Sequence, residues 1–338
     1  MKEAMLYESL PDGHVCCHLC AHECTIAPDS RGICQVRENQ GGLLYTLVYG
    51  ELIAHHVDPI EKKPLFHYHP GSRSYSIATA GCNFRCEWCQ NFDISQMPRD
   101  QHVILGESTS PAEVVAAARQ NRCVSIAYTY TEPTVYFETT YDVARLARAA
   151  AIGNIYVTNG YMTAQMLELL HPYLDAANVD LKAFRDATYR RHIGARLQPV
   201  LDSLKLMKRL GIWVEVTTLI IPGLNDNPDE LKEAAQFIAD DLGPDTPWHL
   251  SRFFPAYRMH THAPTPESTI ARATEIAREA GLRYVYAGNS RQNADTMCHS
   301  CGARLIQRSG YTIVTDRITA EGNCPDCNTP VAGIGMSG

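Results

Sequence analysis

Nowhere does this 338-residue chain hold a run of Lys and Arg, and without a basic stripe there is little to grip a phosphate backbone. Its charge tilts the other way, 30 basic against 37 acidic residues for a net charge of −7, so nucleic acid is not expected as a partner. No apolar stretch approaches the roughly 20 residues that a membrane-spanning helix needs, so no membrane association is expected either. The opening Met-Lys-Glu-Ala-Met-Leu-Tyr-Glu has no apolar core of a signal peptide, and a cytoplasmic location is expected. Disulfides are excluded on the same ground, because the cytosol keeps thiols reduced. Cysteine is nevertheless abundant, at 13 residues, which then points to metal binding or catalysis. A hydrophobic content of 45% is enough to bury a large core, in one domain with appendages or in two domains.

The cysteines fall into groups. Cys16, Cys17, Cys20, Cys24 and Cys34 lie near the N-terminus, Cys82, Cys86 and Cys89 in the centre, and Cys298, Cys301, Cys324 and Cys327 near the C-terminus. Cys123 stands alone and is expected to be a small buried hydrophobe. The central stretch from Ser76 to Asn91 runs from a β-like apolar segment into a C-x3-C-x2-C loop. Thiolates are soft ligands for zinc or iron–sulfur clusters, and zinc normally takes four closed ligands, which this loop alone cannot supply. Three thiolates around a 4Fe-4S cube leave one iron open to an exogenous ligand.

At the N-terminus, Cys17, Cys20, Cys24 and Cys34 have C-x2-C-x3-C-x9-C spacing, which suits a tetrahedral zinc site or a second cluster. Cys16 or His22 could replace one member. At the C-terminus, Cys298-x2-Cys301 and Cys324-x2-Cys327 are two knuckles separated by 22 residues, the pattern of a zinc ribbon. A hairpin is expected between them over 305–318. The module has too little core to fold alone, so metal would carry its folding energy, and it is expected to pack beside the main domain as a lid or docking surface.

Between these ends the pattern alternates. After a Gly41-Gly42 turn, 43–57 reads as a β-hairpin turning near Gly50-Glu51, and 58–71 is too broken by proline to be regular, a lead-in loop. Strands are expected over 74–80, 124–130, 154–159, 177–182, 212–221, 248–254 and 282–287. Ser110-Pro111-Ala112-Glu113 is a capping box with proline at the first helical position. Further helices are expected over 135–151, 162–170 and 199–210, then from Asn227-Pro228 and from Thr265-Pro266. Such alternation predicts an α/β fold, a parallel sheet with helices outside, and a cysteine loop after the first strand suits an open (β/α)6 barrel. The expected division is 1–72 for the Cys-rich segment with hairpin and lead-in loop, 73–290 for the barrel, and 291–338 for the tail.

Chemistry in such barrels sits at the C-terminal strand ends. Those ends carry Thr131 and Glu132, Asn159, Asp180 and Lys182, and His249, a ring able to hold a zwitterionic, ribose-bearing ligand. Cys82 to Asn91, Thr131-Glu132-Pro133, Thr158-Asn159-Gly160, Asp180-Leu181-Lys182 and Trp248-His249 together resemble the pyruvate formate-lyase activating enzyme branch of radical S-adenosylmethionine (SAM) proteins. More narrowly, Cys17 to Cys34, Glu61-Lys62-Lys63-Pro64-Leu65, Thr217 to Gly223 and the terminal cysteine pairs resemble radical SAM enzymes of the AmmeMemoRadiSam system, over nearly the whole chain. The resemblance implies a partial barrel, a 4Fe-4S cluster on Cys82, Cys86 and Cys89, and SAM cleaved to a 5'-deoxyadenosyl radical. It places Thr131 and Glu132 at the SAM amino group, and Asn159, Asp180, Lys182 and His249 at its carboxylate or ribose. Thr131 departs from the usual glycine, and Val157 stands where activating enzymes carry an acid for a monovalent cation.

The resulting expectation is an enzyme that abstracts hydrogen from a peptide, protein or small molecule. It would draw electrons from a flavodoxin or ferredoxin and share a pathway with Memo-like and AMMECR-like proteins. The alternatives are activation of a glycyl radical enzyme and a non-catalytic iron–sulfur electron carrier or zinc-ribbon interaction protein.

Overall fold

A computed structural model describes residues 1–290 and 294–337. Eight strands form one open sheet: β1 (Ala54–Pro59), β2 (Arg73–Ala78), β3 (Ser125–Tyr128), β4 (Gly153–Thr158), β5 (Ala176–Asp180), β6 (Trp213–Ile220), β7 (Trp248–Arg252) and β8 (Val285–Gly288). They stand in the order β8-β7-β6-β5-β4-β3-β2-β1. β2 to β8 are parallel throughout, whereas β1 pairs antiparallel with β2 from Ala54 opposite Ala78 to Pro59 opposite Arg73. The result is an α/β partial barrel, with seven parallel strands and an antiparallel edge.

The helices that cover it are α1 (Pro111–Gln120), α2 (Phe137–Ala149), α3 (Ala164–Leu170), α4 (Gln198–Arg209), α5 (Pro228–Phe237) and α6 (Glu267–Glu279), of which α1, α3 and α5 carry side-chain N-caps. Ser110 and Glu113 make the reciprocal capping box, and Asn227 Oδ1 accepts from Asp229 N at 2.8 Å. With apolar side chains packed on both sides, β3 is buried along its whole length, as a parallel strand covered on both faces should be.

The N-terminal segment departs from expectation. The hairpin expected over 43–57 does not form; Leu43–Thr46 pairs instead with Arg37–Gln40 across Gly41-Gly42. Both glycines are left-handed, at φ +62° and +84°, the conformation that two-residue hairpin turns favour. Val48 and Leu52 are then buried separately, Gly50 N donates to Thr139 Oγ1 at 3.0 Å, and Glu51–Leu52 pairs with Glu107–Ser108. The expected division at residue 72 also cuts between paired strands, since β1 belongs to the main sheet.

The lead-in loop plugs the barrel. Ile60, Leu65 and Tyr68 are buried among Ala127, Ile155 and Ala176 of three adjacent strands, together with Ile334 from the tail. Glu215 on β6 accepts from Phe66 N and His67 N at 3.0 and 2.8 Å, and Asn178 on β5 donates to Pro64 O at 2.7 Å. A Cβ on Gly153, at the start of β4, would stand 2.1 Å from the Tyr68 hydroxyl, so glycine leaves room for the plug. The tail forms a three-stranded antiparallel sheet, Thr296–Met297, Arg304–Ser309 and Thr312–Asp316. It packs Leu305, Ile306 and Ile318 against Phe66, Tyr284 and Tyr286. The expected boundary at 291 falls on residues outside those described.

Candidate active site

The C-terminal strand ends surround a pocket of about 560 Å³. Cys82, Cys86 and Cys89 line it from the loop after β2, Thr131 and Glu132 from beyond β3, Asn159 from beyond β4, Asp180 and Lys182 from the end of β5, and His249 from β7. Nine side chains singled out from the sequence therefore share one chamber.

The cysteine loop is held from several sides. Phe84 N donates to Cys82 Sγ at 3.3 Å, and Arg85 N and Glu87 N donate to Ile193 O and His192 O at 3.0 and 3.2 Å. His192 Nδ1 also meets Glu87 Oε2 at 2.8 Å. The chain enters through Gly81, at φ +102°, where a Cβ would lie 2.6 Å from Val36 Cγ1. Burial pushes the Cys82 and Cys86 thiols up, Cys86 to about 12. Thiolate ligands there would rely on a metal's own charge to ionise.

The charged groups that line the pocket each have a partner. Glu132 Oε1 accepts from Thr134 N at 3.1 Å, Thr134 Oγ1 at 2.6 Å and Thr158 Oγ1 at 2.7 Å, while Oε2 accepts only from Asn159 N, at 2.8 Å. One oxygen is thus saturated and the other keeps an acceptor site. Burial pushes this carboxyl above its ordinary value despite those donors, so a cationic neighbour would favour its ionised form. Asn159 Nδ2 in turn donates to Asn83 Oδ1 at 2.7 Å and lies 3.9 Å from Cys82 Sγ. Lys182 Nζ stands 3.0 Å from Asp180 Oδ2. Burial pushes that ammonium down, but Asp180 and Cys86 outweigh it and hold the group above its ordinary value.

Thr131 Oγ1 donates to Thr79 O at 2.8 Å. Its neighbour Tyr130 takes a left-handed φ of +63°, a conformation that costs about 1–3 kcal/mol in non-glycine residues and gathers at functional sites.

Sequence reasoning missed two buried groups. Glu215, from the middle of β6, accepts from His249 Nε2 at 2.7 Å. Burial pushes its carboxyl up, yet His249 and the His67 backbone prevail and leave it below the ordinary range. A lone carboxylate inside an otherwise apolar parallel strand, Trp213-Val-Glu-Val, was the available signal. The other group is Asp58, which meets Lys63 Nζ at 2.6 Å and Ser76 Oγ at 2.9 Å and also accepts from the Tyr130 hydroxyl. Lys63, 1% exposed, is pushed down to about 8 by burial. Two adjacent lysines in a proline-rich segment gave no hint that one would turn inward.

The terminal cysteines lie apart from this pocket. In the tail, Cys298 and Cys327 sulfurs are 3.6 Å apart and those of Cys301 and Cys324 3.7 Å, and all four lie within 4.8 Å of one another. Tyr311, in the turn between the last two tail strands, lines the mouth of the main pocket. At the other end, Cys17, Cys20, Cys24 and Cys34 line a separate small chamber. Of the expected substitutes, Cys16 is drawn to the His18 ring and the Glu23 carbonyl, whereas His22 lines the small chamber with Nε2 donating to Asn83 O at 2.8 Å.

Comparison with known proteins agrees with this geometry. The Radical SAM superfamily model matches residues 76–238. The protein MJ0808 of Methanocaldococcus jannaschii is 47% identical over 310 residues, 91% of this chain and 92% of that protein. The pyruvate formate-lyase-activating enzyme of Clostridium pasteurianum is 23% identical over 50% of this chain and 70% of its own. Among solved structures, Streptococcus suis SuiB bound to S-adenosylmethionine superposes with a TM-score of 0.51 at 11% identity, over 69% of this chain and 53% of that one. With its cysteine loop and strands β3 to β6 inside the matched region and a relative along nearly its full length, the chain belongs to the radical SAM superfamily.

Proposed function

We propose that this protein binds SAM in the 560 Å³ pocket and uses it to abstract a hydrogen atom from a peptide, protein or small molecule. The observation that carries the reading is the convergence of Cys82, Cys86 and Cys89 with the strand-end ring on one chamber. Cys82, Cys86 and Cys89 would hold a 4Fe-4S cluster, which would supply the electron that splits the sulfonium into methionine and a 5'-deoxyadenosyl radical. The chain's own groups position the ligand. The free acceptor site of Glu132 and the Thr131 hydroxyl suit an ammonium. Lys182 suits a carboxylate, and Asp180 and His249 suit ribose hydroxyls. An electron donor of the flavodoxin or ferredoxin kind fits this chemistry, and Memo-like and AMMECR-like proteins are the proposed pathway partners of an AmmeMemoRadiSam-type enzyme.

The tail we read as a zinc site, since four thiolates at 2.3 Å from one ion stand about 3.8 Å apart, close to the spacings there. Activation of a glycyl radical enzyme is supported by the likeness to the Clostridium activating enzyme. Against it, apolar Val157 lines the pocket where an acid would be needed.

The test is anaerobic reconstitution and reduction with SAM. 5'-Deoxyadenosine should form in the wild type and not in Cys86→Ala; cleavage that survives in that variant would defeat the reading.

A further inference from the structure

We propose that Cys17, Cys20, Cys24 and Cys34 hold a second 4Fe-4S cluster, not zinc. These four cysteines and the apolar side chains Leu19, Ile26, Ile33 and Val135 enclose a chamber with about 20 Å³ of room for the centre of a water molecule. Four thiolates closed on a single zinc ion leave no such void, because each sulfur sits about 2.3 Å from the ion. The tail shows what that closure looks like in this same chain, with all four sulfurs within 4.8 Å of one another. Among the described residues, no three of the N-terminal sulfurs form such a group. A 4Fe-4S cube carries iron at four of its eight corners and sulfide at the other four, so thiolates bound one to each iron stand farther apart than four around a single ion, and the N-terminal sulfurs are likewise more widely spread than those of the tail.

A second observation shows that the chamber is built for an anion. Arg37 lines it at 2% exposure, and Nε and Nη1 of its guanidinium have no hydrogen-bond partner. Only Nη2 is engaged, donating to Met5 O at 2.8 Å and to Glu138 Oε1. Burying two such donors unpaired is costly, and Cys17, Cys34 and Cys20 lie close enough to act electrostatically on this side chain. Bound to a metal, the cysteines are thiolates and the site is negative, which gives both donors a purpose. The chamber abuts the central loop through the His22–Asn83 hydrogen bond and through Cys34 O, 3.3 Å from a Cβ built on Gly81.

The assignment does not rest on SAM cleavage, and its test is a metal and sulfide count on the full chain purified and reconstituted without oxygen. The wild type should hold about eight iron, about eight sulfide and one zinc per chain. The Cys82→Ala/Cys86→Ala/Cys89→Ala variant should keep about four iron and a reduced-state EPR signal that SAM does not perturb. Conversely, Cys20→Ala/Cys34→Ala should lose about half the iron and retain the SAM-responsive signal. About four iron with two zinc in the wild type overturns the proposal, as does a folded triple variant without iron, or full iron in the double variant. A wild type with about eight iron that cannot cleave SAM would defeat the proposed function while leaving this assignment standing.

Discussion

His249 Nε2 stands 2.7 Å from Oε2 of Glu215, a carboxylate wholly buried in the barrel beneath the pocket. The same carboxylate accepts from the backbone of Phe66 and His67, so a single side chain orients a pocket residue and ties down the plug.

Replacing Glu215 with Ala leaves those donors buried and unpaired. We expect a loss of about 3–5 kcal/mol, the cost of breaking a buried pair from one side, and weaker SAM binding as His249 swings free. Thermal unfolding and SAM titration read the two effects. A melting temperature unchanged in Glu215→Ala would remove the residue from this role.

Acid should destabilise the fold through His67. Burial pushes its imidazole down to about 4. The ring is held neutral, with Nδ1 donating to Ala332 O and Nε2 accepting from the Tyr286 hydroxyl, both at 2.6 Å. The unfolded chain takes up this proton near pH 6.5. The stability from a neutral His67 is therefore complete above pH 6.5 and lost as pH falls towards 4, by roughly 3 kcal/mol. Denaturation midpoints at pH 7 and 5 should converge in His67→Asn; an equal drop in wild type and variant contradicts the assignment.

Asn159 touches the cysteine loop without being a ligand. Asn159→Ala should retain iron yet cleave SAM about 10–100-fold more slowly, as expected when a group supporting metal ligands is removed. Iron content and deoxyadenosine production measure this, and unaltered turnover would count against it.

Gly81→Ala forces a side chain into a left-handed backbone 2.6 Å from Val36 Cγ1. Strain of about 1–3 kcal/mol is expected. Because Cys82 follows directly, iron loading should fall as well. Normal stability and loading in this variant would show that the loop can shift to accommodate the methyl group.

In the tail, Cys301→Ser/Cys324→Ser should abolish zinc binding. With the metal's contribution to folding removed, proteolysis should cut within 294–337 while the barrel resists. Retention of one zinc per chain would refute the site.

Much of the barrel was legible because its signals are local. The Ser110 capping box, the Asn227 cap and the alternation of apolar strands with amphipathic helices each act within a few residues. The strand-end ring could be read because parallel strands must present their C-terminal residues to one rim. What escaped was set by distant partners. The segment 43–57 has hairpin-like alternation, yet Gly41-Gly42 offered a tighter turn and Glu51–Leu52 found Glu107–Ser108 instead. Glu215 was hidden because burying a charge depends on partners remote in sequence, here Phe66, His67 and His249, while Asp58 and Lys63, only five residues apart, complete their buried pairing with the distant Ser76 and Tyr130 hydroxyls on Asp58.

The plug formed by Ile60, Leu65 and Tyr68 makes the barrel a cul-de-sac. With its lower end filled, the pocket is approached from the strand-end rim, where Tyr311 is among its lining residues. Two molecules stacked in a blind well cannot exchange independently: the deeper one enters first and leaves last. If SAM lies at the cysteines and the substrate above it, the protein should follow ordered kinetics, with saturating substrate slowing SAM entry and trapping spent SAM fragments below it.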